Sequence, residues 1–347
     1  MLKRISVLVL ILAIAVLFAA CANKPVEKQA FLMGTNVTET VYGKNAEQAA
    51  NAGMSRIKQL ESMMTINKDG GEINALNGMS NVEEKGGDIK LSPETMFVLK
   101  TAKKYSELSG GAFDVTVGPL VKAWGIFTQN PKVLSEDEIK KLLPLVDYKS
   151  LSLNESDSTA RLLKPGMVVD LGGIAKGFAG DEVVKIYKSL GIKSALVNLG
   201  GNVVTLGNKP DGTPWVVGIQ NPRAEDGKYI ATLKVSNKAV VTSGDYERYF
   251  EKDGVRYCHI MDPATGRPAD SGLISTTIIT DQSINADALS TATFVLGLDK
   301  GMKLVESQKG VEAIFVTKDK KVYITPGLKD IFTFDDASKE FQYVEKR

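Results

Sequence analysis

Asp170-Leu-Gly-Gly-Ile-Ala-Lys-Gly-Phe-Ala-Gly-Asp181 lies between the apolar run Gly166-Met-Val-Val169 and a segment of helical spacing from Glu182 to Leu190. The run reads as a short buried strand, so the glycines stand at a strand-to-helix junction. Glycine there lets backbone approach a ligand without a Cβ in the way. The N–H groups and positive dipole end of the following helix suit an anion such as phosphate. The same glycines would equally serve a tight turn and close helix packing. The junction lacks the G-x-G-x-x-G pattern, and the chain has no G-x-x-x-x-G-K-[ST], H-E-x-x-H or G-x-S-x-G. A doubly wound dinucleotide-binding sheet is therefore disfavoured.

Outward from this stretch, helical patterns precede it and strand patterns follow. Asn45 to Met64 carries apolar residues at helical spacing. Ser92-Pro93-Glu94 is a helix start, with an N-cap, a proline at the first position and an acid in the first turn, and Gly110-Gly111 is its stop. Ser135 and Glu138 form a capping box for another short helix. From Ala195 the strand-like runs are Ala195–Leu199, Trp215–Ile219, Tyr229–Val235, Ala239–Thr242, Ile274–Ile279 and Val311–Val316. Helices early and strands late predict an α+β fold, with a largely antiparallel sheet and flanking helices in one compact, two-lobed unit.

The N-terminus sets the compartment. Lys3 and Arg4 precede an apolar run from Ile5 to Ala20 that is too short for an ordinary spanning helix. Leu17-Phe-Ala-Ala-Cys21 resembles a bacterial lipoprotein cleavage box, although Phe18 stands where such boxes more often carry Leu. The expected organisation is a signal peptide over 1–20, a lipidated tether over 21–30 and one domain over 31–335. Cys21 would carry the lipid and hold the protein on the extracytoplasmic face of a cell-envelope membrane. An uncleaved membrane helix is the alternative. With Cys21 used, Cys258 has no partner, so there is neither a disulfide framework nor a cysteine zinc site. Signal removal takes two of 43 basic residues and none of the 41 acids. The mature chain is then neutral overall, and no basic stripe points to nucleic acid.

His259 is the only histidine and the candidate general base. In a strand, its neighbour Cys258 faces the other side, which argues against a Cys–His pair. Asp287 and Thr291 are four residues apart in a helical segment, so both oxygens share a face and could form a corner for a hard cation such as Mg²⁺. Asp287 could equally cap the helix. Asn198-Leu-Gly-Gly-Asn202 is a second glycine turn. Ala112-Phe113-Asp114 follows a helix stop, and Gly244 to Phe250 is a polar, aromatic segment suited to a pocket wall or a sheet face.

Taken together, Met33-Gly-Thr35, Gly111-Ala-Phe-Asp114, Asp170 to Gly177, Asn198 to Asn202, Gly244 to Phe250, His259-Ile-Met-Asp-Pro-Ala-Thr-Gly266 and Ala286 to Thr291 resemble, in order, the FAD:protein FMN transferase (ApbE) family. The resemblance implies the fold of that family and a Mg²⁺-dependent reaction on FAD. FMN is attached by a phosphodiester bond to a threonine, sometimes a serine, of a target protein, and AMP is released. It implies Asp287, Thr291 and the carbonyl of Ala175 as Mg²⁺ ligands. Met33, Ala112, Phe113, Asp114, Gly172, Gly173, Phe178 and Ile260 fall at FAD-binding positions, and His259 at the essential histidine. The implied partner is an acceptor flavoprotein with a D-x-x-[ST]-x-A-T motif, such as a membrane-associated electron-transfer subunit.

Ile66 stands near where family members often carry an aromatic residue; it would pack on a flavin ring without stacking as Tyr does. Two other functions share these residues. With water in place of threonine the site would be a Mg²⁺-dependent FAD pyrophosphatase, and without turnover it would be a lipid-anchored flavin-binding protein. Asp287 to Thr293 also looks superficially like an acceptor motif, which would make the chain a target. Thr293, in mid-helix beside Phe294, is a poor place for that.

Overall fold

The computed structural model describes residues 24–66, 70–80, 87–225 and 227–345. The apolar segment 5–20 and Cys21 lie outside them. Among the described residues no helix is long and apolar enough to cross a membrane.

Among the described residues, nine strands form the central sheet: β1 (Val26–Leu32), β2 (Thr35–Tyr42), β3 (Ser194–Leu199), β4 (Asn202–Leu206), β5 (Ala239–Gly244), β6 (Leu273–Thr280), β7 (Glu312–Thr317), β8 (Lys321–Ile324) and β9 (Gln342–Tyr343). Numbered in this way they lie side by side in chain order. Every pairing is antiparallel except the last, β8 with β9. The helices are α1 (Ala46–Met64), α2 (Glu72–Met79), α3 (Pro93–Leu108), α4 (Gly118–Trp124), α5 (Glu136–Leu142), α6 (Ala175–Ser189) and α7 (Ser283–Glu306), the last interrupted at Gly297. The α+β expectation with a largely antiparallel sheet holds.

Strand periodicity explains why the central strands were readable. Successive side chains of a strand face opposite sides of the sheet. Ala239 and Val241 of β5, Ile278 of β6 and Phe315 of β7 join the core beneath the helices. Their neighbours Val240, Ile279 and Ile314 pack on the other face. A three-stranded sheet of Trp215–Gln220, Tyr229–Val235 and Phe332–Phe334 covers that second face. With both faces covered, β6 is buried along its whole length, its Ser and Thr side chains together with its Leu and Ile. A smaller core around Leu120, Trp124 and Met261 sets off a lobe under the 249–258 hairpin.

Three expectations are corrected. Residues 26–30, assigned to a flexible tether, begin β1. Residues 26–30, Val-Glu-Lys-Gln-Ala, include three polar residues because this is an edge strand with an exposed face. At the other end, the domain does not stop at 335, since β9 adds a further strand to the sheet. Finally, Gly166 to Val169 is not a strand: Val168 makes only an isolated bridge to Val117.

Side chains take the place of sheet neighbours in that segment. Asn77 Nδ2 donates to the Val169 carbonyl at 2.9 Å, and Asn77 Oδ1 accepts from Val169 N at 2.7 Å. Ser80 Oγ donates to the Met167 carbonyl at 2.9 Å. One buried amide thus anchors the approach to the glycine turn. Asn77→Ala would leave a buried N–H and a buried carbonyl unpaired, each costing about 1–3 kcal/mol. A fall in the denaturant midpoint corresponding to about 2–6 kcal/mol is expected, and an unchanged midpoint would refute this anchoring.

Candidate active site

A cavity of about 580 Å³ opens where the β1–β2 turn, the end of α4, the 170–176 turn, the 243–248 segment and the first turns of α7 meet. That volume is typical of a small-molecule site. Of the residues singled out from sequence, Met33, Ala112, Phe113, Asp114, Gly172, Gly173, Ala175, His259, Ile260, Asp287 and Thr291 all line it. Ile66 does so too. Phe178 does not. It is 3% exposed and packs against Phe97, with ring centroids 5.8 Å apart, because one more helical turn carries it past the cavity wall.

The 170–177 turn is organised by carboxylates. Asp170 Oδ1 accepts from Gly172 N at 2.8 Å. Asp287 Oδ2 accepts from Gly177 N at 2.8 Å, although the two lie on different helices. Two N–H groups expected to hold phosphate are therefore taken by the chain's own anions. Gly177 is glycine for a steric reason as well. A Cβ there would fall 2.4 Å from the Ser283 carbonyl oxygen and 2.7 Å from Asp287 Cβ, so α6 and α7 touch backbone to backbone. Gly177→Ala should cost about 1–3 kcal/mol of stability by overpacking and displace Asp287. A variant with unchanged melting temperature would contradict this.

Asp287 does not cap its helix. Asp181 on α6 does so across the interface, accepting from Ser283 N at 2.8 Å and Ile284 N at 3.0 Å. Asp287 is thereby left inside the second turn, 4% exposed, with Thr291 one turn on. Burial pushes the Asp287 carboxyl above its usual range, while Lys176 and the Gly177 N–H pull it down. The same opposition acts on Asp170. Lys176, which the sequence reading passed over, lines the cavity and donates to the Gly172 carbonyl at 3.2 Å.

These groups suit a hard cation. Among the described residues, the buried Asp287 carboxylate has no ion pair and stands one turn from a Thr291 hydroxyl that makes no hydrogen bond. The turn backbone passes over that hydroxyl at Gly173, where a Cβ would lie 3.0 Å from Oγ1. The described residues hold no cluster of three or more His, Cys, Asp or Glu. Such a sparse all-oxygen set fits Mg²⁺, which keeps water and substrate oxygens in its shell. Asn202 also lines the cavity: it is 1% exposed, its Oδ1 accepts from Ser283 Oγ at 2.6 Å, and among the described residues its buried Nδ2 has no hydrogen-bond partner.

His259 stands on the same cavity wall. Its N–H and its Nδ1 both bond to the Arg248 carbonyl, at 3.0 and 3.2 Å. A carbonyl only accepts, so Nδ1 carries the proton and Nε2 keeps its lone pair. His259 is half-buried, and desolvation of the ring, reinforced by the charge of Lys176, lowers the imidazole pKa to about 4. Cys258, as expected, is no partner: it is buried, and burial raises its thiol to about 11. Asp114 shapes the wall instead of reaching across it. Its two oxygens are taken by the Thr116 N–H and hydroxyl, both at 2.7 Å, and by Tyr148 N at 2.9 Å. Thr293 is fully buried and donates to the Leu289 carbonyl at 2.7 Å, which removes the reading of this chain as a flavin acceptor at that residue.

A model of the ApbE family matches residues 33–315. The FAD:protein FMN transferase of Treponema pallidum is 35% identical over 323 residues, 88% of this chain and 88% of its own. The crystal structure of the ApbE protein of Thermotoga maritima superposes with a TM-score of 0.81 at 34% identity, covering 89% of this chain and 99% of that one. The flavin transferase ApbE of Vibrio cholerae gives 0.79 at 28% identity over the same shares. The match runs from the β1–β2 turn to β7 and takes in both His259 and Asp287; the chain belongs to the ApbE family.

Proposed function

We propose that this chain is a FAD:protein FMN transferase: it cleaves FAD, passes FMN to a threonine or serine hydroxyl of an acceptor protein and releases AMP. The observation that carries this reading is His259, fixed in its neutral base form on the wall that also holds Asp287 and Thr291. A hydroxyl is a poor nucleophile until a base takes its proton. In the proposed step the acceptor hydroxyl gives its proton to His259 Nε2. Its oxygen forms a bond to the FMN-side phosphorus, and the pyrophosphate P–O bond to AMP breaks.

The other residues act through charge and position, which is most of what phosphoryl transfer requires. Lys176 brings positive charge to the cavity wall. Asn202 lines the same cavity with a buried side-chain amide. Asp287, Thr291 and the Ala175 carbonyl would hold Mg²⁺. When bound, the ion would neutralise charge on the pyrophosphate and its leaving oxygen.

Cys21 would carry a lipid after removal of residues 1–20, placing the enzyme at the extracytoplasmic face of an envelope membrane. Its acceptor would be a flavoprotein bearing D-x-x-[ST]-x-A-T, such as a membrane-associated electron-transfer subunit. The test mixes the chain from Ala22 with FAD, Mg²⁺ and an acceptor domain carrying that motif. Flavin fluorescence on the denatured acceptor with stoichiometric AMP, both lost on chelation, is the expected result. AMP with free FMN and a dark acceptor would replace transfer by hydrolysis, and no AMP would leave a binding protein.

A further inference from the structure

We propose that Arg248 and Phe127 form a clasp over His259 that excludes water from the base and sets transfer to a protein hydroxyl ahead of hydrolysis of FAD. The inference rests on the transferase reading above. Any base that activates a protein hydroxyl can activate water in its place, so selectivity needs groups beyond the base. Phe127 follows Gly125, which ends α4 in the left-handed conformation, and it lines the cavity with 49% of its surface exposed. A phenylalanine so placed adds little to a core. Its ring instead meets the imidazole of His259 edge-on, with centroids 5.8 Å apart at 77°.

Arg248 completes the cover. Its guanidinium carbon lies 5.2 Å from the centre of the Phe127 ring. Its Nη2 donates to the carbonyl of Gly34, which belongs to the turn that joins β1 and β2. Met33 and Gly34 both have positive φ, 50° and 71°, as a two-residue type I′ hairpin turn requires. The main chain of Arg248 therefore fixes the base while its side chain ties the base's aromatic cover to a separate element of the cavity wall. Arg248 and Phe127 touch none of the reacting atoms; they are positioning residues. In transfer, the acceptor oxygen takes the phosphorus and its proton goes to Nε2. In hydrolysis, water does both, giving FMN and AMP. The clasp acts on which of these oxygens occupies the place beside Nε2.

The experiment measures acceptor-bound FMN, free FMN and AMP in one reaction with FAD, Mg²⁺ and the acceptor domain. Phe127→Ala and Arg248→Ala should each lower the bound-to-free ratio by about tenfold, or about 1.4 kcal/mol between the two branches, while AMP release continues. Phe127→Leu, which retains apolar cover, should restore the ratio. A ratio unmoved in both alanine variants, whatever the total rate, would overturn the clasp and leave transfer standing. A wild-type chain that releases no AMP would overturn transfer and the clasp together.

Discussion

His259→Ala should lose FMN transfer by about 10²–10⁴-fold, the range a positioned general base contributes, while FAD still binds. The split follows from where the ring's hydrogen bonds go. Nδ1 is committed to the Arg248 carbonyl, so the ring's remaining function is the lone pair on Nε2. The groups suited to hold the substrate lie elsewhere on the wall, on α6 and on α7. FAD affinity read by flavin fluorescence quenching should therefore move little while in-gel transfer collapses. Transfer at the wild-type rate would remove His259 from the chemistry, and a matching loss of binding would make it a substrate contact.

The pH dependence of the wild type carries an independent sign. The imidazole titrates near 4 in the folded chain and at its ordinary 6.5 when unfolded. Above pH 4 the folded base is neutral and competent. The kcat/KM profile, which reports the free enzyme, should then stay flat between pH 5 and 6.5, where an ordinary histidine would already lose rate. Stability moves in the matching direction. Between the two values the unfolded chain binds the proton that the folded chain refuses, so stability is complete above pH 6.5 and falls as pH drops toward 4. A rate profile that breaks at 6.5 would mean that the imidazole is not shielded.

How much of this the sequence disclosed depends on whether a role is local. The central strands were legible because β5, β6 and β7 are rich in buried Val, Ile and Thr, the β-branched residues that suit strands. β1 was not, because a half-exposed edge strand is as polar as a tether. Asp287 and Thr291 could be paired from helical spacing alone. That Asp181 caps their helix and frees Asp287 depends on a contact 102 residues away in sequence, which no local pattern encodes. Phe127 was passed over for the same reason, and Lys176 and Asn202, though inside the two glycine turns, were given no role of their own; each acquires its place at the cavity from elements brought to it by the fold. Phe178 fails in the opposite direction, since resemblance placed it at the ligand and the helical turn carries it into the core.

On the proposed Mg²⁺ site, Asp287→Asn should abolish stabilisation of the folded chain by Mg²⁺ without weakening the metal-free chain. The substitution retains an acceptor for the Gly177 N–H and removes only the charge. In the metal-free chain that charge is a liability, because burial raises the carboxyl above its unfolded value of 3.8. Its contribution to folding is therefore greatest below that value and is lost as pH rises through the folded pKa. The amide escapes this penalty, so the metal-free variant should melt at or above the wild-type temperature. The divalent ion reverses the balance: ligand at 100 times its Kd stabilises a folded state by about 2.7 kcal/mol, and the wild-type melting temperature should rise accordingly. Affinity should also rise with pH, since metal and proton compete for the same carboxylate. Mn²⁺ binding followed by electron paramagnetic resonance separates binding from catalysis, and the variant should lose at least about 100-fold, the upper range seen for losing even an outer-shell partner. An Asp287→Asn chain whose melting temperature climbs with Mg²⁺ as the wild type's does would show that the buried carboxylate holds α6 to α7 and leaves the cation to other oxygens.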